Sequence, residues 1–148
     1  MTPATEIVVI GGGWYGTYHA RQLLRALYAG KLDISRILVV DQDPDCRAFR
    51  DLTGQSPVAP VTADWSQFLR DYLATDPWDA HIVPAPFTPH LFFHWLAEAL
   101  NQVPETIATL EPCHLDMGLP YEERGSDGQL YISYADWVCP VTCIEPEV

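Results

Sequence analysis

Three features of the 148-residue chain predict an α/β fold with a doubly wound, mostly parallel sheet and an irregular, Cys-containing C-terminal extension. Two short runs, Ile7-Val8-Val9-Ile10 and Ile37-Leu38-Val39-Val40, are apolar at every position, as expected of parallel strands covered on both faces. Between them the apolar residues follow a helical period: Ala20, Leu23, Leu24 and Leu27 share one face, and the pattern stops near Gly30. Beyond Pro104 regular spacing gives way to turn-forming residues, and three of the four cysteines fall in the last 36 positions.

The first strand breaks into Gly11-x-Gly13-x-x-Gly16 and then directly into the helix. Each glycine has its own physical reason. Gly11 lets the strand turn sharply, Gly13 leaves the backbone open to a phosphate, and Gly16 lets the helix pack close to the sheet. The helix N-terminus, with its unpaired N–H groups and positive dipole end, then faces the anion without a basic side chain. Gly11, Gly12, Gly13, Trp14, Tyr15 and Gly16 are therefore the candidate cofactor-binding loop. The spacing alone is not specific, since the same glycines can make a tight turn with no ligand; the flanking context gives it weight.

The second strand ends at Asp41, whose carboxylate can accept the ribose hydroxyls of an adenosine lying across the strand ends. This β-α-β-acid arrangement resembles the Rossmann NAD(P)-binding superfamily, closely over residues 6–41 and loosely over 1–110. The resemblance implies NAD(H) as the ligand. Asp41 and Asp43 disfavour the extra phosphate of NADP, although Arg47 or Arg50 could swing in and reverse that preference.

Further along, residues 44–52 read as a short helix and 57–61 as a third strand weakened by two prolines. Asp64 caps a helix in which Trp65, Phe68, Leu69, Tyr72 and Leu73 recur at core spacing. Residues 79–83 form a fourth strand that runs into Pro84-Ala85-Pro86. Thr88 and Pro89 then open a helix that buries Leu91, Phe92, Trp95, Leu96, Ala99 and Leu100. Residues 106–110 are read as a last strand and 112–128 as loop. Residues 129–134 alternate, which predicts a short antiparallel or edge strand reached through the Asp127-Gly128 turn.

The segment HIVPAPFTPH resembles the place in glucose-fructose-oxidoreductase-like (Gfo/Idh-type) dehydrogenases where a strand ends in a proline turn and a His-bearing helix beside the nicotinamide. That resemblance implies Pro84 as a cofactor contact and His90 as the catalytic, proton-transferring residue. One departure matters. Those enzymes carry Glu-Lys-Pro after the fifth strand, with a catalytic lysine, whereas this chain has Thr109-Leu110-Glu111-Pro112, and their substrate domain is missing.

Composition narrows the partners. Net charge is −12, with eight Lys and Arg in all, which leaves no basic face for nucleic acid or an anionic membrane. The acidity is uneven: residues 1–102 hold seven basic and eleven acidic side chains, whereas 103–148 hold one and nine. Two parts are expected, a dinucleotide-binding domain over 1–110 and an acidic, loop-rich extension over 111–148 packed on it. The opening MTPATEIVV has no basic n-region or cleavable apolar segment, and no run is long enough to span a bilayer, so a cytoplasmic protein is expected. The shortness of the domain points to a homodimer or a partner subunit.

In a reducing compartment the cysteines suggest metal or redox work before disulfides. Cys113, His114, Cys139 and Cys143 supply enough soft ligands for one zinc or an iron-sulfur cluster, though Cys-Pro-Val-Thr-Cys matches neither a zinc knuckle nor a thioredoxin dithiol. The alternative is small buried apolar side chains. Cys46 needs no special role. His90, His94 and Glu98 fall on one helical face, which is either a metal or proton-transfer face or simply a solvated one, and His19 is packing or exposed.

Three functional readings remain open. The first is an NAD-dependent oxidoreductase acting on a small molecule. The second is a non-enzymatic nucleotide-sensing or regulatory module, favoured by the missing lysine and substrate domain. The third is an S-adenosylmethionine-dependent methyltransferase, whose glycine-rich loop looks similar but has no diphosphate to hold.

Overall fold

The computed structural model describes residues 6–77, 79–84, 90–102, 116–125 and 130–134, with backbone alone at His90. The chain divides into two compact units, Met1–Thr106 and Ile107–Val148.

In the first unit the two apolar runs become the paired centre of a parallel sheet. β1 (Glu6–Ile10) lies between β2 (Arg36–Asp41) and β4 (Ala80–Pro84), and β3 (Val58–Thr62) adds to the far side of β2. The order is β3-β2-β1-β4, all parallel. Residues 7–10 pair with 37–40 on one side and 81–84 on the other, so the last residue of β1, Ile10, sits between Val40 and Pro84. Pro60, which has no N–H to donate, is tolerated because β3 is an edge among the described strands.

Alternation along the strands splits the core in two. Ile7, Val9, Ile37 and Val39 pack with Ala20 and Leu24 of α1 (Trp14–Tyr28) and with Ala48, Phe49 and Leu52 of α2 (Arg47–Leu52). Val8, Ile10, Leu38 and Val40 face the other way, onto Leu69 of α3 (Trp65–Ala74) and Leu91 of α4 (His90–Gln102). Helices therefore flank both faces of the sheet, which is why the strands are apolar without interruption. Each fully buried Ile, Leu or Val contributes about 1.5 to 3 kcal/mol, so this double layer carries most of the unit's stability.

The helix ends follow from local chemistry. α1 closes in a Schellman arrangement: the Lys31 N–H donates to the Ala26 carbonyl and the Gly30 N–H to that of Leu27, with Gly30 at φ 66°. Asp64 caps α3 as expected, accepting from the Gln67 N–H at 2.9 Å. At the opposite edge of the sheet from the strand ends, the Tyr72 hydroxyl donates to Glu6 at 2.5 Å, and burial, with this bond second, raises the Tyr72 pKa from its ordinary 10.0.

Two helical expectations need correcting. Leu96 is 49% exposed, not buried, because the sheet-facing stripe of α4 runs through Leu91, Phe92 and Trp95. The short helix begins at Arg47 and not at Pro44, since residues 42–46 form a turn in which Asp43 and Asp45 make local bonds.

The second unit contains an antiparallel pair, β5 (Tyr121–Arg124) and β6 (Leu130–Ser133), with Tyr121 opposite Ser133 and Arg124 opposite Leu130. The expected strand over 129–134 is present in β6. β5 corrects the reading of 112–128 as loop throughout; its YEER sequence lacks the apolar alternation that marks a strand. A carboxylate organises its entry: Glu122 accepts from the N–H groups of Leu119 at 2.7 Å and Met117 at 3.3 Å. The expected cap at Thr88 and Pro89, the strand over 106–110 and the Asp127-Gly128 turn lie outside the described residues. No helix among the described residues is long and apolar enough to cross a membrane.

Candidate functional site

The chain leaves β1 at Gly11, where the ladder makes its last bond, the Gly11 N–H to the Val40 carbonyl at 2.8 Å, and then turns. A φ of 100° at Gly11 is open to glycine and strained for any other residue. Gly13 is the N-cap of α1, which has no side-chain cap and no acidic residue in its first turn. The N-terminal end of a 15-residue helix is thus presented at the carboxyl ends of the strands.

The three following glycines differ in what surrounds them. A Cβ on Gly16 would lie 1.6 Å from the Gly11 carbonyl oxygen, so the helix and the strand end touch through bare backbone. A Cβ on Gly12 would come within 2.4 Å of the Cys46 Sγ and 3.3 Å of Asp41. Around Gly13 a Cβ would meet nothing within 4 Å. Two of these positions are glycine because protein fills the space. At Gly13 the space is open.

Hydrogen bonds fix the loop in this shape. The Gly12 N–H donates to Asp41 Oδ2 at 2.5 Å, and its carbonyl accepts from the Ala48 N–H at 2.9 Å. Thr17, buried in the second turn of α1, donates its hydroxyl to the Gly13 carbonyl at 2.6 Å and lies 3.3 Å from that of Gly12. Asp41 is only 7% exposed, and its second oxygen, Oδ1, accepts from the Asp43 N–H at 2.9 Å. The carboxylate expected to meet a ribose is therefore already bonded to the backbone through both oxygens. Each oxygen keeps a further lone-pair direction, so a ligand hydroxyl can still be accepted alongside.

At the rim, Trp14 is 59% exposed and the Arg47 guanidinium lies over its ring, 3.4 Å from the centroid. Arg47 also faces Asp51 at 3.3 Å, which in turn pairs with Arg21 of α1 at 2.8 Å. Tyr15 follows Trp14 in the first turn of α1 and is half-buried. Pro84, in register with Ile10, closes β4 at this same edge of the sheet.

The structure thus brings Gly11, Gly12, Gly13, Trp14, Tyr15, Gly16, Asp41 and Pro84 to one edge of the sheet. His90 opens α4, six positions after Pro84 in the chain, and its side chain lies outside the described residues. The proposed shared face of His90, His94 and Glu98 is partly spoken for. Glu98 is bonded by Arg70 of α3 at 2.6 Å, and the exposed His94 ring sits edge-on to Phe93, 5.6 Å between centroids. Cys113, His114, Cys139 and Cys143 lie outside the described residues. Among the described residues, no group of three His, Cys, Asp or Glu could hold a metal ion.

Sequence reasoning missed two residues of the site. Thr17 resembles any polar helix residue until its hydroxyl is seen to tie the loop. Cys46, read as needing no role, is buried against Gly12; burial, the largest influence, pushes its thiol pKa up from the ordinary 9.0, which disfavours the reactive thiolate and marks a packing residue. The contact predicts a specific coupling. Gly12→Ala is expected to destabilise the protein by about 2 kcal/mol through overpacking, and Cys46→Ala to recover at least half of that loss. Urea denaturation of the two single variants and the double variant measures the coupling; additive effects would contradict the contact.

Comparison with known proteins adds little about chemistry. A family model described as "Uncharacterized protein, C-terminal domain" matches residues 92–148. No curated protein matches the chain, and no solved structure does.

Proposed function

We propose that residues 6–84 form the nucleotide-holding part of a Rossmann-like, doubly wound domain that binds NAD(H), and that the protein acts as an oxidoreductase on a small molecule. The observation that carries this reading is the open backbone at Gly13, set between two glycines that the protein itself fills and placed at the uncapped start of α1. Glycine also serves as the N-cap there, but among the described residues no protein atom fills the space beside it, which leaves the loop backbone open to a ligand. The strand order supports the same reading, because β3-β2-β1 is the order of a mononucleotide-binding half, β4 lies across the switch point, and the loop after β1 lies at that point.

The residues fit the group. The diphosphate would lie on Gly13 and the first turn of α1, where the dipole end and backbone amides favour an anion. Asp41 would accept from the adenosine ribose with the lone pairs left by Gly12 and Asp43. Bound NAD(H) supplies hydride transfer. Pro84 ends the strand on the nicotinamide side, and His90, at the start of α4, is the candidate for moving a proton to or from the substrate. The extension with Cys113, His114, Cys139 and Cys143 is proposed as a second, Cys-containing part of the protein that can take zinc or an iron-sulfur cluster. Titration with NADH, followed by nicotinamide fluorescence, is expected to saturate at one equivalent. Tighter binding of S-adenosylmethionine, or no binding of either nicotinamide dinucleotide, would overturn the reading.

A further inference from the structure

Beyond the glycine loop, α1 carries an outward stripe that the fold leaves bare. Trp14, Tyr18, Arg21, Arg25 and Tyr28 recur at spacings of three and four, which on a helix keeps them along one narrow face. Trp14, Tyr18, Arg25 and Tyr28 are exposed, and Arg25 makes no ion pair among the described residues. Trp, Tyr and Arg are the side chains that concentrate binding energy at protein interfaces. The rings are also held in place. The Tyr28 hydroxyl donates to the Ser56 carbonyl at 2.9 Å, Tyr18 stands edge-on to His19 with 5.7 Å between centroids, and Arg47 covers one side of Trp14. Little side-chain freedom is left to lose on contact.

Charge and spacing select the occupant. Among the described helices α1 alone has no Asp or Glu, in a chain whose net charge is −12. A second copy is repelled wherever carboxylates face each other, and along α1 they do not. The stripe is self-complementary as well. Run antiparallel about an axis at Arg21 and Gln22, two copies of α1 set Trp14 against Tyr28 and Tyr18 against Arg25. The first pair is a ring contact and the second a cation–π contact, and symmetry makes each of them twice. Arg21, on the axis, is already paired with Asp51 of its own chain at 2.8 Å.

We propose that α1 is the face on which two copies of this chain associate, antiparallel about a two-fold axis at Arg21 and Gln22, with Trp14 of one copy on Tyr28 of the other and Arg25 of one over Tyr18 of the other. A contact of this kind uses the same patch on both copies, so it closes as a dimer and leaves no open end. It does not depend on what the glycine loop binds, although Trp14 brings the second copy to the rim of that loop.

Sedimentation velocity of the full-length protein at micromolar concentration is expected to show a dimer for wild type. Arg25→Gln is expected to weaken dimerisation about tenfold, since a cation–π contact is lost in two places. Tyr18→Ser is expected to weaken it at least as much. The double variant is expected to lose no more than Tyr18→Ser alone, because both changes remove the same pair. Two controls are expected to dimerise as wild type does: Arg70→Gln, which alters net charge equally but sits in the α3–α4 ion pair, and Leu96→Ser, on the exposed side of α4. A thermal melt checks the fold of each variant, and should Tyr18→Ser not fold, Arg25→Gln decides. Wild type that stays monomeric overturns the proposal, whether or not another protein binds the stripe. So does a dimer that Arg25→Gln leaves intact, one that Leu96→Ser abolishes, or additive losses in the double variant.

Discussion

Gly16→Ala is expected to lower the stability of the first unit by about 4 kcal/mol, at the upper end of what single substitutions do. On an exposed helix the same change would stabilise, because glycine costs about 1 kcal/mol relative to alanine in a helix interior. The sign reverses here because the new methyl would stand 1.6 Å from the Gly11 carbonyl oxygen and 2.8 Å from its carbon. Both are backbone atoms, so no flexible side chain can move aside. Relief requires α1 to shift away from β1, which would pull Ala20 and Leu24 off Ile7 and Val9. Urea denaturation with circular dichroism measures the loss. A midpoint equal to wild type would mean that helix and strand do not meet as described.

Gly13→Val is expected to do the reverse, leaving the fold in place and removing the ligand. Its site has no neighbour within 4 Å of a Cβ and a φ of −71°, which any residue adopts. The stability cost is that of replacing glycine at an N-cap with an apolar residue, about 1 kcal/mol. Binding should weaken by about 30-fold or more, since an anion kept away from the loop backbone loses about 2 kcal/mol of hydrogen bonding and dipole attraction. The measurement is NADH titration of a variant whose thermal melt has been checked first. Undiminished binding would place the ligand elsewhere, and loss of both fold and binding would give Gly13 a packing role that its surroundings deny.

Paired together, these variants explain why the glycine loop was legible in the sequence. Strand, turn and helix follow one another within residues 6–28, so the signals are local: β-branched residues, then glycines at fixed offsets, then helical periodicity. Asp41 was legible for a similar reason, as the first charge after an apolar run. The partners that hold the loop were not. Thr17 and Cys46 act through contacts that depend on where α1 and α2 come to lie, and neither residue type announces such a contact. Glu98 looked available for chemistry because its partner Arg70, 28 positions away, is brought to it only by the packing of α3 on α4. β5 was hidden for another reason. A strand of four residues, three of them charged, has no apolar alternation to read.

The double engagement of the Asp41 carboxylate has a kinetic meaning. Because Gly12 and Asp43 are bonded to it within the fold itself, the shape of the proposed nucleotide site is completed when the chain folds and not when a ligand arrives. Little entropy then remains to be lost on association. Docking should proceed as an encounter of rigid partners, without a slow isomerisation phase and with small displacements of the main chain. Differences in affinity among loop variants should accordingly emerge in how long the nucleotide stays.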